Sequence, residues 1–157
     1  MPEPSFVLDG MLGSLTRWLR MMGYDALYLR DLPDADMLRS LEGNERFLLT
    51  RDKQLAERAG ERGLFISSIV LDEQLALVAN EFGLRYLGPW RCTECNGELS
   101  PVDKGSVKGE VQECTWRWND EFWRCARCQK LYWKGAHWDS IKKRMDLVST
   151  AHGNSPR

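Results

Sequence analysis

The chain lacks any apolar run long enough to cross a membrane. It has 157 residues, of which 43% are hydrophobic and 29% are charged. No window approaches the roughly 18 to 20 consecutive apolar residues that a membrane-spanning helix needs. The opening MPEPSF has neither the basic stretch nor the apolar stretch of a signal peptide. We therefore expect a cytoplasmic protein with no membrane partner.

Internal repeats and low-complexity segments are also absent, and neither sign of charge dominates. The formal net charge is −1. Residues 1–88 hold 14 acidic and 10 basic residues, whereas residues 89–157 hold 9 acidic and 12 basic residues. This distribution fits a carboxylate site beside a module that binds a polyanion. It fits two ordinary solvated surfaces equally well.

The composition changes near residues 87–92. Before this point the only tryptophan is Trp18, and after it lie all five cysteines and six of the seven tryptophans. A chain of this length can hold one compact domain and a small module. We expect three parts: an α/β domain over 1–88, a small cysteine- and tryptophan-rich module over 89–148 and a flexible tail over 149–157.

The first part alternates short apolar runs with amphipathic stretches. Leu12, Leu15, Leu19 and Met22 recur at the spacing of one helix face. The expected strands are 6–8, 24–29, 47–49 and 64–70. The helices that follow the last three of these strands should begin near Asp34, Asp52 and Asp72. This β-α-β-α-β-α-β-α order predicts an α/β fold with a parallel sheet flanked by helices.

Aspartates stand where this sheet should end. Asp9 directly follows Phe-Val-Leu, and Asp52 ends the segment RFLLTRD. Open α/β sheets bind ligands at the carboxyl ends of their strands, so we expect both carboxylates at that edge. Asp34 and Asp72 should face the same side, although an aspartate that opens a helix is often only a cap. Asp72 fits the cap better, and Asp34 fits both roles, with Asp31 and Asp36 as nearby alternatives.

Carboxylates gathered at one edge repel one another unless a cation neutralises them. Mg²⁺ and Mn²⁺ prefer oxygen ligands and keep coordinated waters. Such an ion polarises a phosphoryl oxygen and activates water, so the pattern predicts metal-assisted phosphodiester hydrolysis. Thr50 either bonds a metal-bound water or simply belongs to its strand. Arg17, Arg20 and Arg51 are candidate phosphate contacts, although surface arginines usually just solvate a helix face.

Four of the five cysteines form two C-x-x-C pairs. Cys92 and Cys95 are separated from Cys125 and Cys128 by 29 residues. Two such turns complete a tetrahedral Zn²⁺ site, and a hairpin insertion absorbs the long gap. A redox C-x-x-C motif would need only one pair. We expect the fifth cysteine, Cys114, to be a small buried residue; His137 is either a spare ligand or, more simply, a packed histidine.

Aromatic and basic residues are interleaved around the second pair. The aromatic residues are first interpreted as the core of a module too small to fold without its metal. Aromatic and basic side chains together also describe a surface on which unpaired bases stack. The candidate RNA contacts here are Arg124, Arg127, Lys130, Tyr132, Trp133 and Lys134.

Taken together, these motifs resemble the Mut7-C ribonuclease family. The segments FVLDGMLGSLTRWLR, RFLLTRDKQL, RCTECNGEL and CARCQKLYWKGAHW occur in that order over residues 5 to 145. The resemblance implies a PIN-like nuclease domain followed by a zinc ribbon, with Mg²⁺- or Mn²⁺-dependent cleavage of RNA by clustered acids. Asp9, Asp34 and Asp52 match the acidic motifs. PDADML departs from the commoner pattern, so Asp36 remains an alternative to Asp34, and Asp72 matches a fourth acid only weakly.

The first hypothesis is therefore a metal-dependent ribonuclease. Asp9, Asp34 and Asp52 would bind Mg²⁺ or Mn²⁺, the paired cysteines would bind a structural Zn²⁺, and the basic ribbon would help to hold RNA. The alternative is a non-catalytic RNA-binding or adaptor protein with the same fold. A phosphatase of the haloacid dehalogenase type fits less well, because Met11 stands where its second aspartate belongs.

Overall fold

A four-stranded parallel sheet organises the first half of the chain. The structure is a computed structural model that describes residues 2–88, 90–136 and 138–153. Its first elements are β1 (Phe6–Leu8), α1 (Gly13–Met21), β2 (Ala26–Tyr28), α2 (Asp34–Arg39), β3 (Phe47–Thr50), α3 (Lys53–Ala59), β4 (Gly63–Phe65) and α4 (Leu71–Phe82). The strand order is β2-β1-β3-β4, and every pair is parallel. The predicted α/β fold with a helix-flanked parallel sheet is confirmed.

The apolar face of α1 provides much of the core. Leu12, Leu15, Leu19 and Met22 are all buried, as their spacing predicts. They pack in one cluster with Phe6 and other residues of the sheet. Burial of each such side chain contributes about 1.5–3 kcal/mol relative to exposure. The helix is therefore held by its core face, and its N-terminus lies at the carboxyl edge of the sheet.

The fourth strand is shorter than predicted. β4 ends at Phe65, and residues 66–70 form a loop in which Ile69 is 78% exposed. β4 is an edge strand that pairs only with β3, so nothing extends its ladder further. The strand begins at Gly63, where a Cβ atom would collide with the carbonyl oxygen of Ala56. That close approach explains the glycine.

Two helix starts also differ from prediction. Asp34 is the first residue of α2 and does not cap it, because Pro33 occupies the N-cap position. Asp72 does not cap α4 either, since the N-cap is Val70. The carboxylate of Asp72 instead accepts a hydrogen bond from Arg144. The cap interpretation of both aspartates is therefore wrong.

The second half of the chain forms a small antiparallel sheet and two further helices. The elements are β5 (Leu99–Val102), α5 (Glu113–Trp118), β6 (Phe122–Cys125), β7 (Leu131–Tyr132) and α6 (Trp138–Gly153). The strand order is β5-β6-β7. A 3₁₀ turn and α5 occupy the gap between β5 and β6. Cys114 lies exposed on α5, contrary to expectation, because this short helix has no buried residue.

Tryptophans pack at the centre of this module. The ring of Trp90 lies 5.1 Å from that of Trp123 and 5.0 Å from that of Trp138. Trp133 lies 6.2 Å from Phe122. Trp118, by contrast, is 83% exposed on α5. Packing therefore accounts for several of these aromatic side chains, as the sequence suggests.

The last helix returns to the parallel sheet. Met145 of α6 is buried in the same cluster as the β1 residues, and Ile141 and Val148 pack against it. Arg144 lies 5.0 Å over the ring of Trp18. α6 thus closes the core that α1 and α4 begin. Within the described ranges, no helix is both long and apolar enough to cross a bilayer.

Candidate functional site

Asp9 and Asp52 lie at the carboxyl ends of adjacent strands. β1 and β3 are paired with Leu8 opposite Leu49, and each aspartate follows its strand within two residues. The hydroxyl of Thr50 donates a hydrogen bond to Asp9 Oδ2 and accepts one from the backbone N–H of Asp52 at 3.0 Å. Thr50 is fully buried. One buried hydroxyl therefore joins the two acidic segments.

Both carboxylates also stabilise the local backbone. Asp9 Oδ1 accepts from the N–H of Met11 at 3.2 Å, which shapes the turn into α1. Asp52 is the N-cap of α3, and its Oδ1 accepts from the N–H of Leu55 at 3.1 Å. Such a cap contributes typically about 1 kcal/mol. Asp52 Oδ2 has no hydrogen-bond partner among the described residues and is free to take a ligand.

The other candidate acids face arginines. Asp34 Oδ2 lies 3.7 Å from Arg58 Nη1 on α3. Asp36 pairs with Arg39 at 2.8 Å within α2, and Asp72 accepts from Arg144 Nε at 2.7 Å. The structure thus brings Asp9 and Asp52 together through Thr50. It does not gather Asp34, Asp36 or Asp72 with them into a group of metal ligands within the described part of the chain.

The four paired cysteines do form a metal-binding group. All four sulfur atoms lie within 4.8 Å of one another, and Cys92–Cys128 and Cys95–Cys125 are 3.6 and 3.4 Å apart. A tetrahedral zinc with Zn–S bonds of about 2.3 Å needs sulfurs about 3.8 Å apart. The cluster can therefore hold Zn²⁺, and it is compatible with a zinc ribbon. His137, the suggested spare ligand, lies outside the described residues.

The backbone conformation of both C-x-x-C turns allows the four sulfur atoms to come close to one another. Asn96 and Gln129 each follow the second cysteine of a pair, with φ values of 69° and 68°. Between the two turns, a Cβ atom on Gly97 would lie 2.7 Å from the sulfur of Cys125 and 3.2 Å from that of Cys95. No side chain fits there without moving a sulfur, so glycine is required for the cluster.

The protein environment prepares some of these thiols for metal. Burial works to raise the pKa of Cys125, but the N–H groups of Cys128 and Arg127 outweigh it and lower the pKa to about 6. Burial and the neighbouring Cys125 raise the pKa of Cys95 to about 12. A dication favours the thiolate of every ligand, so metal binding releases protons from the cluster.

Arg20 and Asn96 join the cysteine module to the parallel sheet. Arg20 is only 6% exposed, and it donates to the carbonyl oxygens of Ala26 and Thr93, both at 2.9 Å. Asn96 accepts from the N–H of Ala26 at 3.1 Å and donates to Asp25 at 2.7 Å. Burial lowers the pKa of Arg20. Arg20, a candidate phosphate contact from the sequence, is thus largely occupied in holding the two parts together.

The candidate RNA contacts of the cysteine module already contact other residues of the protein. Arg124 reaches Glu110 at 2.8 Å, Arg127 donates to the carbonyl of Cys95 at 3.1 Å and Lys130 meets Glu94 at 3.2 Å. Lys134 lies over the rings of Trp123 and Trp138, and Trp133 packs on Phe122. Tyr132 Oη is 3.0 Å from the sulfur of Cys92. These side chains stabilise the module, whatever further role they have.

Sequence reasoning missed Arg30. It lies two residues after β2, at the same carboxyl edge as Asp9, and it is exposed. Arg51, which the sequence did single out, donates to the carbonyl of Ser67 at 3.1 Å. Arg17 and Arg30 have no hydrogen-bond or ion-pair partner among the described residues. The signal for Arg30 was its place at a strand end, the same rule that identified Asp9.

Fold and site together define an α/β protein with a parallel sheet, acids at its carboxyl edge and a group of four cysteines that could hold a metal. The model of the Mut7-C RNAse domain matches residues 4–145. The chain therefore belongs to the Mut7-C RNAse domain family, as its motifs suggested. Membership indicates a ribonuclease-type function with RNA as the substrate. No curated protein and no solved structure matches the chain.

Proposed function

We propose that this protein is a metal-dependent ribonuclease that hydrolyses RNA phosphodiester bonds. Asp9, Asp34 and Asp52 would hold Mg²⁺ or Mn²⁺ in a PIN-type site, and the cysteine cluster would hold one structural Zn²⁺. The observation that supports the proposal is the hydroxyl of Thr50, which bonds to the carboxylate of Asp9 and to the backbone N–H of Asp52 at the carboxyl edge of a parallel sheet.

The donor set suits a hard dication. Asp9 and Asp52 offer carboxylate oxygens, and each keeps lone pairs beyond the hydrogen bonds that it accepts. Mg²⁺ or Mn²⁺, when bound, supplies charge neutralisation and a water of lowered pKa. Thr50 orients the carboxylate of Asp9, and Asp34 joins from α2 when it leaves Arg58. That exposed pair is worth at most about 1 kcal/mol, so a cation competes with the guanidinium easily.

The zinc ribbon has a positioning role in this proposal. Zinc would fix the turn that contains Cys92 and Cys95. The carbonyl of Thr93 in this turn accepts a hydrogen bond from Arg20 of α1, so zinc would also fix the turn against that helix. The exposed basic residues of the ribbon would then help to hold the RNA strand. Four thiols used as zinc ligands also suit a reducing compartment, which supports a cytoplasmic location.

The test replaces each acid by its amide, which removes the charge and keeps the hydrogen bond from the local backbone. Asn is as good an N-cap as Asp, so Asp52→Asn keeps the start of α3. Asp9→Asn keeps an acceptor for the N–H of Met11 and loses the second oxygen, which accepts from Thr50. We expect each variant to lose about a hundredfold of Mn²⁺-dependent RNA cleavage, the upper end of what loss of a group that only supports a metal ligand costs. Asp120→Asn is the matched control, because its side chain is 95% exposed in the ribbon. Undiminished cleavage by both acid variants, with native circular dichroism, would contradict the proposal.

A non-catalytic RNA-binding or adaptor protein is the second candidate. The observation in its favour is that Asp34, Asp36 and Asp72 each contact an arginine. Titration of Mn²⁺ into the zinc-loaded protein separates the two functions. The ribonuclease requires saturable binding that Asp9→Asn abolishes. RNA binding with neither Mn²⁺ binding nor cleavage would favour the adaptor.

A further inference from the structure

A basic cavity lies between α1, the end of β2 and the first cysteine turn. Its volume is about 430 Å³, within the range of about 300–1,000 Å³ typical of ligand sites. It is lined by Gly13, Ser14, Thr16, Arg17, Arg20, Tyr28, Arg30, Thr93 and Glu94. The cavity therefore belongs both to the parallel sheet and to the cysteine module.

The lining of this cavity carries a net positive charge, because three arginines and one acid contribute to it. Arg17 and Arg30 are exposed and form no ion pair within the described residues, and Arg20 is at the wall of the cavity. Glu94 is the only acid in the lining, and Lys130 holds it at 3.2 Å. Two free guanidinium groups that share one hollow with hydroxyl groups favour a bound oxyanion, above all a phosphate.

The cavity adjoins the candidate catalytic edge. The backbone of Arg30 packs against Gly10, where a Cβ atom would lie 3.7 Å from Arg30 Cα. Tyr28, another lining residue, donates to the carbonyl of Gly10 at 2.6 Å. Gly10 directly follows Asp9. A phosphate in the cavity would therefore be close in space to a phosphodiester bond presented to Asp9.

A second hollow continues from the first. Its volume is about 420 Å³, and it shares Ser14, Arg17, Thr93 and Glu94 with the first cavity. It extends to Trp18 and Lys130. Arg17 thus stands between two connected hollows, with an aromatic ring and a further cation beyond it. A small anion would need only one hollow, whereas a chain of phosphates and bases needs a track.

We propose that this cavity seats a backbone phosphate of single-stranded RNA next to the scissile bond, bound by Arg17 and Arg30. The inference rests on the proposed ribonuclease function, and it adds the path of the substrate. The RNA strand would leave the Asp9 edge over Arg30 and Arg17 and run along the junction of the sheet and the zinc ribbon toward Lys130. Arg20 would position the wall and would not bind RNA itself.

The test measures RNA binding rather than cleavage. A fluorescein-labelled single-stranded RNA of about 12 nucleotides is titrated with the zinc-loaded full chain in buffer without Mg²⁺ or Mn²⁺, and anisotropy is recorded over a range of salt. We expect Arg17→Gln and Arg30→Gln each to weaken binding about tenfold, as loss of a charge-assisted contact does. Each should also reduce the slope of log K against log salt by about 0.7. Arg85→Gln is the control, because Arg85 is exposed and pairs with Glu3.

The outcomes separate this proposal from the nuclease proposal. Arg17→Lys and Arg30→Lys should keep the salt slope, because they keep the charge, and circular dichroism of the glutamine variants checks that these still fold. Affinity and slope unchanged in the Arg17→Gln/Arg30→Gln double variant would overturn the phosphate site even if Asp9→Asn abolishes cleavage. If the glutamine substitutions weaken the binding of RNA with a 5′-phosphate more than that of RNA with a 5′-hydroxyl, the cavity takes a terminal phosphate and the proposal of a backbone phosphate is overturned. Equal losses for the two RNAs support it.

Discussion

The junction between the cysteine module and the parallel sheet can be tested with one pair of substitutions. Asn96 and Gln129 occupy equivalent positions, each after the second cysteine of a pair and each with a left-handed backbone. Alanine is strained there by about 1–2 kcal/mol in both cases, and asparagine tolerates this conformation better than glutamine does, which adds to the loss expected of Asn96→Ala. The side chains differ, because Asn96 reaches the sheet whereas Gln129 bonds only to the carbonyl of Ala126 at 3.2 Å. Gln129→Ala is therefore the matched control for Asn96→Ala.

The expected difference follows from two hydrogen bonds. Asn96 donates to the Asp25 carboxylate at 2.7 Å, a charged interaction of about 1.5–3 kcal/mol. It also accepts from the N–H of Ala26 at 3.1 Å, a neutral one of about 0.5–1.5 kcal/mol. Asn96 is 3% exposed, so water does not replace these partners. We expect Asn96→Ala to lower the free energy of unfolding by about 3 kcal/mol more than Gln129→Ala.

The assay is urea unfolding of both variants with zinc saturated, followed by far-ultraviolet circular dichroism. Asn96→Ala should lower the midpoint clearly more than Gln129→Ala, while both retain one zinc per chain. Equal loss of stability in the two variants would refute the reasoning, since it would mean that the bonds from Asn96 to the sheet contribute nothing beyond the turn itself.

Two further predictions concern the metal centre and acid stability. Gly97→Ala should release zinc at a lower chelator concentration than the parent protein, because the new Cβ crowds the sulfurs of Cys125 and Cys95. Elemental analysis after graded chelation measures this release, and a zinc content equal to that of the parent would contradict the prediction. Burial works to raise the pKa of Asp25, but hydrogen bonds from Arg46 and Asn96 outweigh it and lower the pKa. The stability that Asp25 contributes is therefore complete above its unfolded pKa of about 4, and it is lost as the pH falls through the lower folded value. Asp25→Asn should therefore destabilise the protein more at about pH 6 than at about pH 3, and an equal difference at both pH values would count against it.

Local pattern was sufficient for much of the fold. The spacing of Leu12, Leu15 and Leu19 predicted the buried face of α1, and the alternation of strands and helices predicted a parallel sheet. The pattern failed at 64–70, where a run of apolar residues looks like a strand. The reason is that β3, the strand that β4 pairs with, ends at Thr50 opposite Phe65, and periodicity carries no information on where a partner strand ends.

The candidate site divides in the same way. The place of Asp9 after β1 and the spacing of the cysteine pairs are properties of short segments, and so the sequence could reveal them. The ion-pair partner of Asp34 could not be predicted from the sequence, because Arg58 lies on another helix. Arg20 looked like a surface arginine, yet one of its two bonds reaches Thr93, 73 residues further along the chain.

By itself, the sequence determined the order of the elements that build the parallel sheet, the strand-end position of Asp9 and Asp52 and the four cysteines that could hold a metal. These follow from hydrophobic periodicity and from residue spacing, which act over a few residues. Only the tertiary structure decided that Thr50 joins the two acids, that Asn96 ties the cysteine turn to β2 and that Arg17 and Arg30 share one cavity. These contacts join residues up to 71 positions apart, and they form only when the buried faces of the helices and the sheet pack together.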